Sequence, residues 1–546
     1  MAAAKQMAMR SFLLAAGAAS ALLAVPAAAQ PAKPPKLIVA ISVDQLSSDL
    51  WEAYRPHFTA GLRRLADGGV TFANGYQAHA ATETCPGHST LLTGRWPAAT
   101  GVVANQWTDQ RAGRDDKTIY CAEDPRVAGS TSRSYTVSPQ HLRSSTLGDR
   151  LKAINPASRN VAVAGKDRAA VMMSGHKADQ RWYWDGKAWS SDLAAAPVPR
   201  SVTALRAAFA AQLASPGPGL VPPALCRARA TPIPVTPALS VGAGTLARAA
   251  GDARAIRASP ELDGATLALG FALTQELGLG RGAATDVLSL GLSATDYVGH
   301  SYGWGGQEMC LQMLALDREL GDFLQRMDRT GIDYAVVLTA DHGGMDTAER
   351  LRAAGNLRAQ RADPALNAGE IGKLLAPQFG RTEPVLLGDT GGDVWLHKDL
   401  PAADRPRVLA AALARFRAHP QVETVFTAAE LARTPLPTTS PDRWTLLERV
   451  RATFDPSRSG DLYVVLKEWV TPIAKPGPGY VAGHGTPWDY DRRVPILFMA
   501  KGLKPAAPAT AADTADILPT LAAWLGLQVA PESVDGKCRA EAARCR

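Results

Sequence analysis

A near-continuous apolar run, "KLIVAISVDQ" (36 to 45), stops abruptly at Asp44. A run of this kind predicts a strand buried on both faces, as in a parallel sheet covered by helices on each side. The pattern returns in "NVAVAGKDR" ending at Lys166, "DVLSLGLSATD" ending at Asp296, "AVVLTADHGG" ending at Asp341, and "VPILFMAKG" from 494 to 502. In four of these five runs a polar residue follows the apolar stretch directly. Between them lie segments with helical spacing, among them "TAGLRRLADGG", "MCLQMLALDRELGDFLQRMDRTG" and "DTADILPTLAAWLGL". Strands alternating with helices predict an α/β fold built on an open, mostly parallel sheet, whose ligands gather outside the carboxyl ends of the strands.

Two stretches interrupt this rhythm. Residues from roughly 170 to 285 carry "YWDGKAWSSD" and the Pro-rich "SPGPGLVPPALCRARATPIPVTP", and residues from roughly 365 to 480 carry "LPTTSPDRWT" and "AKPGPGY". Both are expected to be insertions capping the active edge of one catalytic domain that runs from 30 to 546. "RPRVLAAALARFRAHP" (405 to 420) predicts a helix within the second, which should have a small fold of its own.

The first 29 residues have a thin basic start (Lys5, Arg10), an apolar stretch "SFLLAAGAASALLAV", and an A-x-A end at Ala27 to Ala29. This pattern is that of a secretory signal peptide cleaved near Ala29, too short and wrongly flanked to span a membrane. The expected location is therefore the periplasm or the exterior, and no later run suggests a span. Of the six cysteines, Cys538 and Cys545 are close enough in sequence to bridge in an oxidising compartment. Cys121, Cys226 and Cys310 carry no pairing signal, and Cys85 reads as a buried structural thiol. The formal charge of +8 loses the two positives of Lys5 and Arg10, leaving +6. The arginines are scattered rather than interleaved with aromatics, so nucleic acid is not expected as a specific partner.

Six residues just past apolar runs or in Gly-rich turns are candidate metal ligands: Asp44, Asp296, His300, Asp341, His342 and His484. An Asp after a strand is most often a turn former, and a lone His is most often hydrogen-bonded. Together, however, they supply enough oxygen and nitrogen donors for two divalent ions with open positions. "ATETCPGHSTLLTG" (81 to 94) adds a hydroxyl: Thr84 stands where a helix begins, with Pro86 in its first turn, so it faces the positive helix end. A threonine is a poor nucleophile until a metal or base takes its proton, and the ligands nearby supply that metal. Thr82 is the lesser candidate, and His88 is expected to pack or hydrogen-bond within the helix.

"ISVDQ", "TETCPGHSTLLTG", "GVVANQW", "GKDRAA", "DYVGH", "TADHGG", "GHGTPWDYDRRVPILF" and "ADILPTLAAWLGL" occur in this order along nearly the whole chain. In these motifs the sequence resembles the alkaline phosphatase superfamily, and within it the threonine-nucleophile, zinc-dependent PafA-type enzymes. The resemblance implies that Thr84 is the nucleophile. It implies two Zn²⁺ per chain, one held by Asp296, His300 and His484, the other by Asp44, Asp341 and His342 with Thr84 bridging. It also implies that Asn105, Lys166, Arg168 and the Cys85 N–H bind the phosphoryl group.

Asn105, Lys166 and Arg168 suit a monoester, which is close to a dianion, better than a diester with its single charge. The expected activity is therefore hydrolysis of phosphate monoesters through a phosphothreonine. Two alternatives stay open: a phosphodiesterase or nucleotide pyrophosphatase of the same superfamily, and a metal-free scaffold that binds phosphorylated ligands. A sulfatase is excluded, because "CPGHS" lacks the C-x-P-x-R run its modified cysteine requires.

Overall fold

The computed structural model describes residues 33–545, so the expected signal peptide lies outside the described residues. A nine-stranded sheet forms the centre. In chain order its strands are β1 (Leu37–Val43), β2 (Val70–Tyr76), β3 (Asn160–Ala164), β4 (Gln180–Trp184), β5 (Trp189–Ser190), β6 (Asp286–Leu292), β7 (Tyr334–Thr339), β8 (Arg493–Met499) and β9 (Ala512–Asp513). Their spatial order is β9-β2-β8-β7-β1-β6-β3-β4-β5. From β7 through β1, β6 and β3 to β4 every pairing is parallel.

The all-apolar strands are explained by what covers them. Val39, Ile41 and Val43 of β1 face one core with Leu290 and Leu338, beneath the helices Pro260–Glu276 and Gln307–Arg329, which contribute Leu269, Leu316 and Leu320. Ile38 and Ala40 face the opposite core, with Val337, Phe72, Phe498 and the helix Ile517–Leu525 through Leu521 and Trp524. Each such Leu, Val or Phe contributes roughly 1.5–3 kcal/mol on full burial. Alternation within β1 thus separates two hydrophobic layers, and neither face tolerates a polar side chain before Ser42.

Two features of the sheet escape a pattern-based reading. The run at 494 to 502 does form a strand, β8, but it lies antiparallel to both β7 and β2. Apolar content reports burial on two faces and is blind to direction. β2 itself (VTFANGY) contains Asn74 and Gly75, which mask its strand character in the sequence.

The stretch from 170 to 285 is more than a cap, since it supplies β4 and β5 to the main sheet and the helix Pro260–Glu276 to its core. The later stretch builds a separate antiparallel sheet in the order Leu386–Gly388, Gly392–Leu396, Leu462–Leu466, Val422–Thr427. Val394, Leu396 and Val464 of that sheet pack with Ile371 and with Val408 and Phe416 of the helix Arg405–Arg417 in a core of their own.

All six cysteines are paired: Cys85–Cys121, Cys226–Cys310 and Cys538–Cys545, with Cα atoms 6.4, 5.4 and 5.6 Å apart. The last pair is the one its spacing suggested. Cys85 is not a free thiol, and Cys121, Cys226 and Cys310 have partners 36 or 84 residues away, a separation across which sequence carries no pairing information. Three disulfides fit an oxidising compartment. Among the described residues no helix is long and apolar enough to cross a membrane.

Candidate active site

The register of the sheet assembles the site. Ala164, Gly291, Ser42 and Thr339 are opposite one another across β3, β6, β1 and β7. Two residues further along each strand come Lys166, Ser293, Asp44 and Asp341, so three of the expected site residues emerge level with each other at the carboxyl edge. Asp296 follows in the first turn of the helix Ala294–Tyr302, and one turn later the same helix presents His300. Gln45 binds these groups together. Its backbone N–H donates to Asp341 Oδ1 (3.0 Å) and its side-chain amide donates to Asp296 Oδ1 (2.9 Å). It does so with φ of 64°, a left-handed conformation unusual for a non-glycine residue and held here by both contacts.

Three expected ligands share one device. His300 Nδ1 donates to Ala482 O, His342 Nδ1 to Gly343 O and His484 Nδ1 to Thr82 O, each at 2.7 Å. A carbonyl only accepts, so every one of these rings carries its proton on Nδ1 and turns the Nε2 lone pair inward, as a metal ligand must. Nε2 of His300 and of His484 are 3.3 and 3.5 Å from Asp296 Oδ1. Burial together with the neighbouring His342 draws His484 down to about 4, which favours its neutral form. Although burial opposes ionisation, His300 and Lys166 hold the Asp296 carboxyl well below the usual carboxylate range.

Asp296, His300 and His484 form one compact donor group. The second compact group is Asp44, Asp341 and His88, and His342 stands beside it with Nε2 3.2 Å from Asp341 Oδ2. His88 does bond within its own helix, Nδ1 to Thr84 O at 2.8 Å, but its two nitrogens also lie 3.3 Å from Asp341 and Asp44. Burial would push its imidazole down, yet the Asp341 and Asp44 carboxylates prevail and lift it to about 10. Asp341 Oδ2 and His342 Nε2 are buried with no hydrogen-bond partner. Orphaned buried polar atoms of this kind mark a cation site, and the oxygen and nitrogen donors fit zinc.

Thr84 opens the helix Thr84–Leu91, as expected. Its Oγ1 has Lys166 Nζ and Arg168 Nη2 each 3.4 Å away. Thr82, the other candidate hydroxyl, instead donates to Thr486 O at 2.7 Å and serves as scaffold. Lys166 is buried and also pairs with Asp296 (2.5 Å) and Asp44 (3.0 Å). Burial alone would lower it, and those two carboxylates raise it instead, so it stays charged.

The Cys85 N–H, expected to face a phosphoryl oxygen, donates to Asn105 Oδ1 at 2.8 Å. That bond orients the amide so that Asn105 Nδ2 is the atom left to donate. Asn105 is held further by its own N–H to Glu83 Oε2 (2.6 Å) and by its carbonyl, which accepts from Cys121 N–H (3.0 Å). Sequence reasoning missed Glu83, Gln45 and the acidic contacts of His88. Glu83 and Gln45 each adjoin a named residue, Thr84 and Asp44, and adjacency is the one signal that could have raised them.

Comparison with known proteins identifies the family. Residues 38–488 match the family model described as type I phosphodiesterase / nucleotide pyrophosphatase. The alkaline phosphatase PhoK of Sphingomonas sp is 50% identical over 93% of this chain and 91% of its own length. The alkaline phosphatase PhoD of Zymomonas mobilis is 44% identical over 92% and 87%. Among solved structures, alkaline phosphatase PafA superposes with a TM-score of 0.80 at 24% identity, covering 93% of this chain and 99% of that one, which speaks for the fold. The chain belongs to the alkaline phosphatase superfamily, in the branch that the type I phosphodiesterase model describes. It is an alkaline phosphatase, a metal-binding hydrolase.

Close packing of the Thr84 helix on the Asp341 backbone yields a prediction. A methyl group at Gly87 would fall inside van der Waals distance of the Asp341 carbonyl. Gly87→Ala should therefore shift the helix off the metal edge, lowering stability by about 1–3 kcal/mol and activity at least about tenfold. Chemical denaturation and steady-state rates check both, and wild-type rates in this variant would contradict the packing argument.

Proposed function

We propose that the protein hydrolyses phosphate monoesters through a covalent phosphothreonine at Thr84, with two zinc ions, after export to the periplasm. The observation that carries this reading is the pair of cations at the nucleophile, Lys166 and Arg168, each 3.4 Å from Thr84 Oγ1. A phosphoryl group attached there would have both charges against its non-bridging oxygens. A monoester brings more negative charge than a diester to these two cations, of which Lys166 is buried and Arg168 half-buried.

Asp296, His300 and His484 would hold one metal; Asp44, Asp341 and His342 would hold the other, beside Thr84. Bound metals supply Lewis acidity toward the attacking and departing oxygens. The remaining work falls to the chain. Thr84 gives its proton to solvent, and Lys166 and Arg168 favour the resulting oxyanion, which attacks phosphorus as the bond to the departing oxygen breaks; that oxygen takes a proton from water and leaves as the alcohol. Asn105 Nδ2, aimed by Cys85 N–H and Glu83, donates to a non-bridging oxygen. Water then cleaves the phosphothreonine, releasing phosphate and restoring the hydroxyl. The second reading, a diesterase, draws on the family model, whose description names phosphodiesterases. The A-x-A pattern ending at Ala29 and the three disulfides support export.

Lys166→Ala combined with Arg168→Ala should separate the two readings. Each lost charge-assisted contact is worth about 1.5–3 kcal/mol, so kcat/KM for an aryl phosphate should fall on the order of 10² to 10⁴. An aryl methyl phosphodiester should lose much less, and equal losses would remove the monoester argument. Exhaustive chelation should abolish activity, and added zinc should restore it with two ions per chain by elemental analysis. Acid-quenched wild-type protein should carry phosphate on Thr84 by peptide mass spectrometry; phosphate on Thr82 would assign the wrong hydroxyl.

A further inference from the structure

Beside Lys166 and Arg168 opens a cavity of about 550 Å³ whose wall includes Arg257. Arg257 ends the short helix Ala253–Arg257, far in sequence from every site motif. Its guanidinium lies 4.6 Å from the centre of the Tyr297 ring, and Lys166 Nζ lies 5.0 Å from the same ring. Tyr297 directly follows Asp296, so one aromatic ring joins the phosphoryl-binding lysine to this second cation, and the two charges cannot be farther apart than those distances combined.

The charges in the cavity are otherwise committed. Lys166 pairs with Asp44 and Asp296, and Arg168 reaches Thr84 and Tyr120. Asp167 accepts from the hydroxyls of Tyr120 (2.7 Å) and Tyr135 (2.9 Å). Asp185 accepts from Lys187 N, Ala188 N and Ser190 Oγ, and Asp192 is paired with Arg181. Arg257 alone among these has no carboxylate and no hydrogen-bond acceptor among the described residues; the Tyr297 ring face holds it in place without satisfying its five donors.

We propose that Arg257 forms a subsite for a second oxyanion of the substrate, a carboxylate or a further phosphate a few atoms from the scissile phosphoryl group. This rests on the monoesterase reading and narrows it to substrates with two anionic groups. A planar guanidinium grips carboxylate and phosphate bidentately, which explains arginine rather than lysine at this position. The ring keeps the guanidinium preorganised, so little side-chain freedom is lost on binding.

The test uses zinc-loaded mature protein and three substrates of equal chain length: propyl phosphate, 3-phosphooxypropanoate and propane-1,3-diyl bisphosphate. Wild type should prefer the two substrates with a second anionic group over propyl phosphate in kcat/KM, and the order between them tells carboxylate from phosphate. Arg257→Gln should shrink that preference on the order of ten- to a hundredfold, with Arg257→Lys recovering part of it. Direct binding of 2-carboxyethylphosphonate relative to propylphosphonate, by isothermal titration calorimetry, should weaken in the same proportion, a readout independent of turnover. An unchanged preference and phosphonate-binding ratio in Arg257→Gln, or parallel losses for all substrates, would overturn the subsite. Failure of wild type on all three substrates would strike the monoesterase reading instead, and the binding ratio of the two phosphonates would still decide Arg257.

Discussion

Three carboxylates, Asp44, Asp296 and Asp341, are buried within a few ångströms of one another at one edge of the sheet. Their mutual repulsion in a poorly solvated site is the constraint to which the surrounding structure answers. Lys166 offsets part of it by bridging Asp44 and Asp296. Gln45 offsets another part by donating to Asp341 and Asp296 at once. What remains is a deficit of positive charge that divalent metals would fill. The same unsatisfied charge that makes this edge costly to fold makes it a candidate cation site.

The proposed phosphoryl pocket rests on a second network, running through the backbone. Glu83, Thr84 and Cys85 are consecutive and divide the work between them. Glu83 holds the Asn105 amide, Thr84 presents its hydroxyl, and Cys85 orients Asn105 Oδ1. The Cys85–Cys121 bridge then ties the start of the Thr84 helix to the strand Thr118–Tyr120 and its following turn. Cys121 N–H in turn supports the Asn105 carbonyl. Burial raises the Glu83 carboxyl from its ordinary value even as the Asn105 N–H opposes that rise. In the proposed mechanism this small ring of contacts would preorganise the donors that phosphoryl transfer requires.

The site is flanked by two clefts to which residues of the two long stretches contribute. Arg257 and the β4–β5 edge wall one beside Lys166. On the other flank a cavity of about 470 Å³ is walled by Trp395 and Tyr463 of the small sheet, with Tyr480 and His484 at the metal edge. The ring of Tyr480 lies 5.2 Å from that of His300. The candidate site residues thus gather at the carboxyl edge of the central sheet, while the flanking clefts also draw on the two long stretches.

The sequence by itself determined the strands with unbroken apolar runs, the helix that starts at Thr84, and most of the donor groups that meet at the carboxyl edge of the sheet. It could do so because apolar runs that end in Asp or Lys report burial and strand termination locally, and "TADHGG" or "DYVGH" place donors within a turn of each other. Direction and partnership were decided only in three dimensions. β8 reads like its parallel neighbours yet runs against them, because hydropathy has no polarity. Cys85 finds Cys121, and Cys226 finds Cys310, through folding that brings distant segments together. His88 turns from a helix-internal residue into a neighbour of two carboxylates because its helix packs on the Asp341 backbone. Arg257 reaches Tyr297 from a helix distant in sequence for the same reason. Residue type and local period fix which atoms are offered; the register of β3, β6, β1 and β7 fixes which of them meet.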